Sequence, residues 1–168
     1  MRRNLYLTLA MLLATASLAT AQTVFVVRHA ERADTATGGS MSMTDPDLSE
    51  LGTARAQALA RVLRDVGITA IYVTEFKRTQ QTAEPLAKAL GIQWSLVSAK
   101  DMPGLIGKLK TATANTLIIG HSNTVPEILK QLGVVDPVTL ASADYDNLFV
   151  VSRGEKPTFV RLHFGKQP

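Results

Sequence analysis

The sequence predicts a layered α/β domain built on a mostly parallel sheet. Two observations lead there. Short apolar runs rich in β-branched residues alternate with longer stretches whose apolar residues recur at helical spacing, the pattern of strands joined by crossover helices. The 168 residues, 46% apolar and 19% charged, suit one folded domain with a proper core and exclude a disordered chain. With no cysteine in the chain, disulfide frameworks, thiolate metal sites and cysteine nucleophiles are excluded. Any imidazole chemistry falls to His29, His121 and His163.

The first strand is predicted over residues 23–27 (TVFVV), a continuous apolar run of the kind buried on both faces. Residues 31–46 are rich in Gly, Ser, Thr and Asp and read as a loop. Asp47, with Glu50 three positions on, is placed as the cap of a first helix. That helix carries Leu51, Ala54, Ala58, Leu59, Val62, Leu63 and Val66 on one stripe, and Gly67 stops it. A second strand is expected at 68–74 and a second helix at 77–90, kinked at Pro85 and ended by Gly91. A strand at 94–98, a short helix at 103–110 and a buried strand at 116–120 (TLIIG) follow. The helix at 125–132 has Pro126 in its first turn and Gly133 behind it. Two last strands, 147–153 and 158–164, flank Gly154-Glu155-Lys156-Pro157 and are expected to pair as a hairpin.

Residues 1–21 stand apart. Arg2 and Arg3 precede an apolar run at 5–18, and Ala19-Thr20-Ala21 then supplies the small residues of a cleavage site. This is the layout of a secretory signal peptide, and the run is too short for a membrane span, which takes about 20 residues. The expected organisation is a cleaved leader at 1–21 and one domain at 22–168, exported to periplasm or medium, with no membrane span in the mature protein. Cleavage removes two arginines and no acid, so the formal charge falls from +4 to +2. So mild an excess, without a basic stripe and interleaved aromatics, speaks against nucleic acid as a partner.

In open parallel sheets, ligands bind outside the carboxyl ends of the strands. Three predicted strand ends carry chemistry: Arg28-His29-Ala30-Glu31-Arg32, Thr74-Glu75-Phe76-Lys77-Arg78-Thr79 and Gly120-His121-Ser122-Asn123. A parallel sheet brings His29, Arg78 and His121 to one rim, with Arg28 and Arg32 close by. Planar guanidiniums suit phosphate oxygens, and a neutral imidazole among cations is a nucleophile able to accept a phosphoryl group. The guanidiniums repel a divalent ion, so no metal and no cofactor are expected. His163, inside the last strand pattern, reads as scaffold.

These residues resemble the histidine phosphatase superfamily, the phosphoglycerate-mutase-like group. The family's Arg-His-Gly stands here as Arg28-His29-Ala30. Its Leu-(Ser/Thr)-x-x-Gly stands as Leu48-Ser49-Glu50-Leu51-Gly52, and its Arg-(Ala/Thr)-x-x-Thr-Ala as Arg78-Thr79-Gln80-Gln81-Thr82-Ala83. Its Gly-His after an apolar strand stands as Gly120-His121. The resemblance implies a three-layer α/β/α fold and a phosphatase with His29 as the phosphohistidine-forming nucleophile. Arg28, Arg32, Arg78 and His121 would hold the phosphoryl oxygens. Ala30 departs from the family glycine, and the family's acidic insert has no recognisable copy. Asp101 is then the first choice for the acid that protonates the leaving group and Glu31 the second, with Glu75, Asp144 and Asp146 as further carboxyls.

The chain between the third and fourth strands is short, leaving an open site. The expectation is a secreted, metal-independent phosphatase acting on a small phosphorylated substrate. The alternatives are a protein phosphohistidine phosphatase and a catalytically idle protein that binds phosphate or a phosphosugar.

Overall fold

A computed structural model describes residues 22–35, 45–154 and 157–166. The leader predicted over 1–21 lies outside the described residues, as do parts of the loop after the first strand and of the hairpin turn. Six strands form one sheet: β1 (Thr23–Arg28), β2 (Ile68–Val73), β3 (Ser95–Leu96), β4 (Asn115–Gly120), β5 (Asn147–Ser152) and β6 (Thr158–His163). Their order is β3-β2-β4-β1-β5-β6. The first four are parallel, and β5 and β6 run antiparallel as the expected hairpin against β1. The helices are α1 (Glu50–Leu63), α2 (Lys77–Leu90), α3 (Met102–Thr111) and α4 (Thr124–Gln131). Among the described residues, no helix is long and apolar enough to cross a membrane.

Three layers result, because β1 and β4 are apolar on both faces. Phe25 and Val27 of β1 pack with Leu59, Leu63 and Leu86 of α1 and α2. Their alternating neighbours Val24 and Val26 pack with Leu105, Leu109, Ile128 and Leu129 of α3 and α4. Side chains alternate across a strand, so each continuous apolar run supplies both cores.

Three expectations need correction. The cap of α1 is Ser49, whose Oγ accepts from Gly52 N at 3.0 Å. The carboxylate of Asp47 instead accepts from Gln81 Nε2 at 2.9 Å and lies 3.6 Å from Lys77 Nζ. The entry of the chain decides this: Ser49 N donates to the Glu31 carbonyl at 2.9 Å. Gly52 also packs so tightly there that a Cβ would sit 2.2 Å from the Glu31 oxygen. Second, the third strand shrinks to Ser95–Leu96, which pair with Tyr72 and Val73 of β2 at the sheet edge. Third, α1 ends at Leu63 rather than running to Gly67. The second helix keeps its predicted bounds, with Pro85 inside it and Gly91 as a left-handed cap at φ 66°.

Behind β1 one ion pair closes the fold. Arg55 of α1 grips Glu31 side-on through Nε, at 2.9 Å to both carboxylate oxygens, and through Nη2 at 2.6 Å. The same guanidinium donates to the carbonyls of Phe164 at 3.0 Å and Lys166 at 2.9 Å. It therefore joins β1, α1 and the segment after β6. Removing one member of a buried pair strands the other charge, at a cost of about 3–5 kcal/mol. Arg55→Met is expected to lose stability of that order in urea unfolding, and Glu31→Leu added to it is expected to recover much of the loss.

Candidate active site

The site lies at the carboxyl rim of the parallel strands. One step beyond the register that sets Arg28 opposite Gly120, His29 N donates to the Gly120 carbonyl at 2.9 Å. The two chains therefore leave the sheet together, and the rings of His29 and His121 lie 5.4 Å apart. Both histidines are buried.

Hydrogen bonds set their tautomers. His29 Nδ1 lies 2.8 Å from the Ala30 carbonyl, an acceptor only, so the proton sits on Nδ1 and Nε2 keeps its lone pair. His121 Nδ1 faces Arg78 Nη2 at 3.5 Å, and an arginine only donates. The proton of His121 is therefore on Nε2, which donates to Thr74 Oγ1 at 3.0 Å. Thr74 Oγ1 in turn lies 3.0 Å from Thr79 Oγ1. Burial, then the charges of Arg28, His121 and Arg78, push His29 down to about 3 against the pull of the Ala30 carbonyl. Burial and Arg78 push His121 down to about 4. Both imidazoles are neutral at pH 7.

Arg28 and Arg78 each lie over an aromatic ring. The Arg78 guanidinium carbon is 4.2 Å from the Phe76 ring centre, and that ring meets His121 edge-on at 5.3 Å. The Arg28 carbon is 4.0 Å from the Tyr145 ring centre, and that ring lies 6.0 Å from His29. Among the described residues, Arg28 Nε and Arg78 Nε are buried without a hydrogen-bond partner. Two unsatisfied cationic donors flanking a neutral imidazole pair form a cradle for an oxyanion. Burial lowers the basicity of Arg78, and the charges of Arg32 and Arg28 add to it against the pull of Asp45 and Asp34. Arg32 itself forks onto Asp34.

The expected acids are placed otherwise. Asp101 is exposed and caps α3, its Oδ1 accepting from Gly104 N at 2.9 Å. Glu31 is buried and pairs with Arg55, because α1 brings Arg55 beneath the turn. Glu75 accepts from Ala99 N at 2.9 Å. Burial raises its pKa, but that bond, His121 and Lys100 outweigh it and hold the carboxyl below its usual value. Asp144 closes a turn onto Ala141 N at 2.8 Å, and Asp146 meets His163 Nδ1 at 2.9 Å.

Asp45, Phe76 and Tyr145 carry no signal in the sequence. Asp45 accepts from Lys77 N at 2.8 Å and lies 3.2 Å from Arg78 Nη1. It caps α2, whose own cap residue Phe76 makes no side-chain bond. Thr82 joins two motifs by donating to the Arg78 carbonyl at 2.6 Å and accepting from Ala30 N at 3.0 Å.

Residues 24–100 match the model of the histidine phosphatase superfamily (branch 1). The match holds Arg28, His29 and Arg78 and stops before His121, which the fold supplies. A probable phosphoglycerate mutase, GpmB, of Yersinia enterocolitica is 37% identical over 70 residues, 42% of this chain and 33% of the relative. Its Yersinia pestis counterpart is 38% identical over 69 residues, 41% of this chain and 32% of the relative. The match thus spans about a third of the length of these relatives. Among solved structures, a mycobacterial glucosyl-3-phosphoglycerate phosphatase in complex with VO3 superposes with a TM-score of 0.65. It is 17% identical, over 84% of this chain and 97% of that one. The protein histidine phosphatase SixA complexed with tungstate gives 0.64 at 21% identity, over 84% and 97%. At such identities the two structures share the fold with this chain.

The neutral histidines carry a consequence for stability. An unfolded imidazole titrates near 6.5, so below that pH the unfolded chain takes up protons that the folded one refuses. The stabilisation is full above pH 6.5 and is lost as pH falls toward about 4 for His121 and about 3 for His29. The slope is at most about 1.4 kcal/mol per pH unit per histidine. His121→Gln is expected to lose stability less steeply than the wild type between pH 6.5 and 4.5 in urea titrations. Equal slopes would show that the folded imidazole protonates freely.

Proposed function

We propose that this chain, a member of the histidine phosphatase superfamily, is a metal-independent phosphatase that hydrolyses phosphomonoesters through a phosphohistidine on His29. One observation carries the reading. The Ala30 carbonyl, 2.8 Å away, holds the His29 proton on Nδ1, leaving the Nε2 lone pair in a cradle of cationic donors.

A phosphoryl group seated between Arg28, Arg78 and His121, with Arg32 at the rim, has its oxygens' charge met by guanidinium and imidazole donors. His29 Nε2 attacks phosphorus in line, the bond to the leaving oxygen breaks, and that oxygen departs with the electron pair and is protonated at the open rim. The Nδ1–H bond to the Ala30 carbonyl supports the positive charge that the ring gains. Water then attacks the phosphorus, the P–Nε2 bond breaks, inorganic phosphate leaves and the imidazole recovers its lone pair. The arginines supply the charge stabilisation that a metal would otherwise provide.

Neighbouring folds support a phosphoryl-type ligand: solved relatives of this fold hold VO3, tungstate and inorganic phosphate. The leader-like segment at 1–21 extends the proposal to an exported enzyme, cleaved after Ala21.

Hydrolysis of 4-nitrophenyl phosphate by the mature protein is expected to be unaffected by EDTA. His29→Ala is expected to lower kcat/KM by at least about 10³-fold. Activity surviving in His29→Ala would sink the mechanism, and phosphate binding without turnover would favour the binding-protein reading. N-terminal sequencing of the exported protein is expected to begin at Gln22.

A further inference from the structure

The loop before β5 is built around Arg28. Its turn is closed by Asp144, whose N donates to the Ala141 carbonyl at 3.1 Å and whose Oδ2 accepts from Ala141 N at 2.8 Å. The closed turn presents two carbonyls to Arg28 Nη1, Ala141 at 3.0 Å and Ser142 at 3.1 Å. Tyr145, 117 residues from Arg28 in sequence, accepts from Nη2 through its hydroxyl at 3.1 Å. Its buried ring also meets the guanidinium, with the ring centre 4.0 Å from the guanidinium carbon.

The next residue anchors this arrangement to the sheet. The Asp146 carbonyl accepts from Phe164 N at 2.9 Å, and its carboxylate meets His163 Nδ1 at 2.9 Å. The residue after the tyrosine is thereby tied to the end of β6.

We propose that Tyr145 is a positioning residue of the phosphoryl site. Its hydroxyl and ring fix the plane of Arg28 so that Nε–H and the remaining Nη2–H are kept for phosphoryl oxygens. Arg28 has five N–H bonds. The loop carbonyls and the tyrosine take three, and Nε is left buried without a partner among the described residues. Nε and Nη2 are also the atoms with which Arg55 grips the Glu31 carboxylate, so an arginine with that pair unspent is ready for an oxyanion. Ring and hydroxyl have separable parts. The ring sets the plane by cation–π contact, and the hydroxyl sets the rotation within it. The inference rests on the reading of the cradle as a phosphoryl site.

The test measures binding of inorganic phosphate and orthovanadate to the mature protein by calorimetry, with thermal unfolding alongside. Tyr145→Phe keeps the ring and is expected to weaken both anions about 10-fold, as for a lost hydrogen bond to a charged group, at a nearly unchanged Tm. Tyr145→Leu is expected to weaken them further. In an Arg28→Lys background, Tyr145→Phe is expected to cost under about two-fold, because the geometry it protects is already gone. A merely structural tyrosine would lower Tm and cost the same in both backgrounds, and that result overturns the proposal. Unchanged affinity in Tyr145→Phe and Tyr145→Leu overturns it too while leaving the phosphoryl site intact. A wild type that binds neither anion overturns the phosphoryl reading and this inference together.

Discussion

The site depends on the register of one strand pair. β1 and β4 run parallel with Arg28 opposite Gly120, which makes His29 and His121 the first residues past the sheet on adjacent chains. Core packing enforces that register. The side chains of β1 alternate between the two cores, Val24 and Val26 on one side and Phe25 and Val27 on the other. A slip of one residue would exchange every one of them between faces. The apolar fit on both faces therefore also fixes the 5.4 Å separation of the imidazole rings.

Threonine hydroxyls turn this placement into a rigid one. Thr79 Oγ1 accepts from Thr74 N at 3.1 Å and donates to the Phe76 carbonyl at 2.8 Å, binding the end of β2 to the first turn of α2. Thr74 Oγ1 then orients His121. Thr124 Oγ1 accepts from His121 N at 2.8 Å, and a Cβ on Gly120 would lie 2.8 Å from that hydroxyl oxygen. Thr82 couples the turn after His29 to the carbonyl of Arg78. A valine at these positions keeps the shape but leaves buried N–H groups unpaired, which costs more than the hydrogen bond it removes. The small polar residues that recur in the sequence blocks are thus the fasteners between the strand ends.

The layers, the parallel centre and the rim chemistry were legible in the sequence because each is a local signal. A two-faced apolar run marks a buried strand, and Arg28-His29, Arg78 and Gly120-His121 each follow one directly. What stayed hidden depends on contacts between distant segments. Nothing near Tyr145 announces that its ring will lie under Arg28. Asp45 sits 32 residues before the helix whose N–H it caps. The cap of α1 went to Ser49 rather than Asp47 because the Glu31 carbonyl, 18 residues away, catches Ser49 N, a contact that the local pattern does not reveal.

The carboxylates show how the His29 imidazole is kept neutral. A free carboxylate beside His29 would raise its pKa and favour its protonation, occupying the lone pair that the proposed phosphoryl transfer needs. Around this rim the acids are held by other partners. Glu31 is given to Arg55, Asp101 to the α3 N-terminus, Glu75 to Ala99 N, Asp144 to Ala141 N and Asp146 to His163. Asp45 does meet a site cation, but on Arg78, and it raises Arg78 and His121 less than burial and the neighbouring arginines lower them. Burial and arginine charge therefore dominate at both imidazoles. Burial does most to keep His29 neutral, and the charges of Arg28 and Arg78, which also suit the pocket to an anion, push the same way, so anion binding and a free imidazole lone pair are compatible in one site.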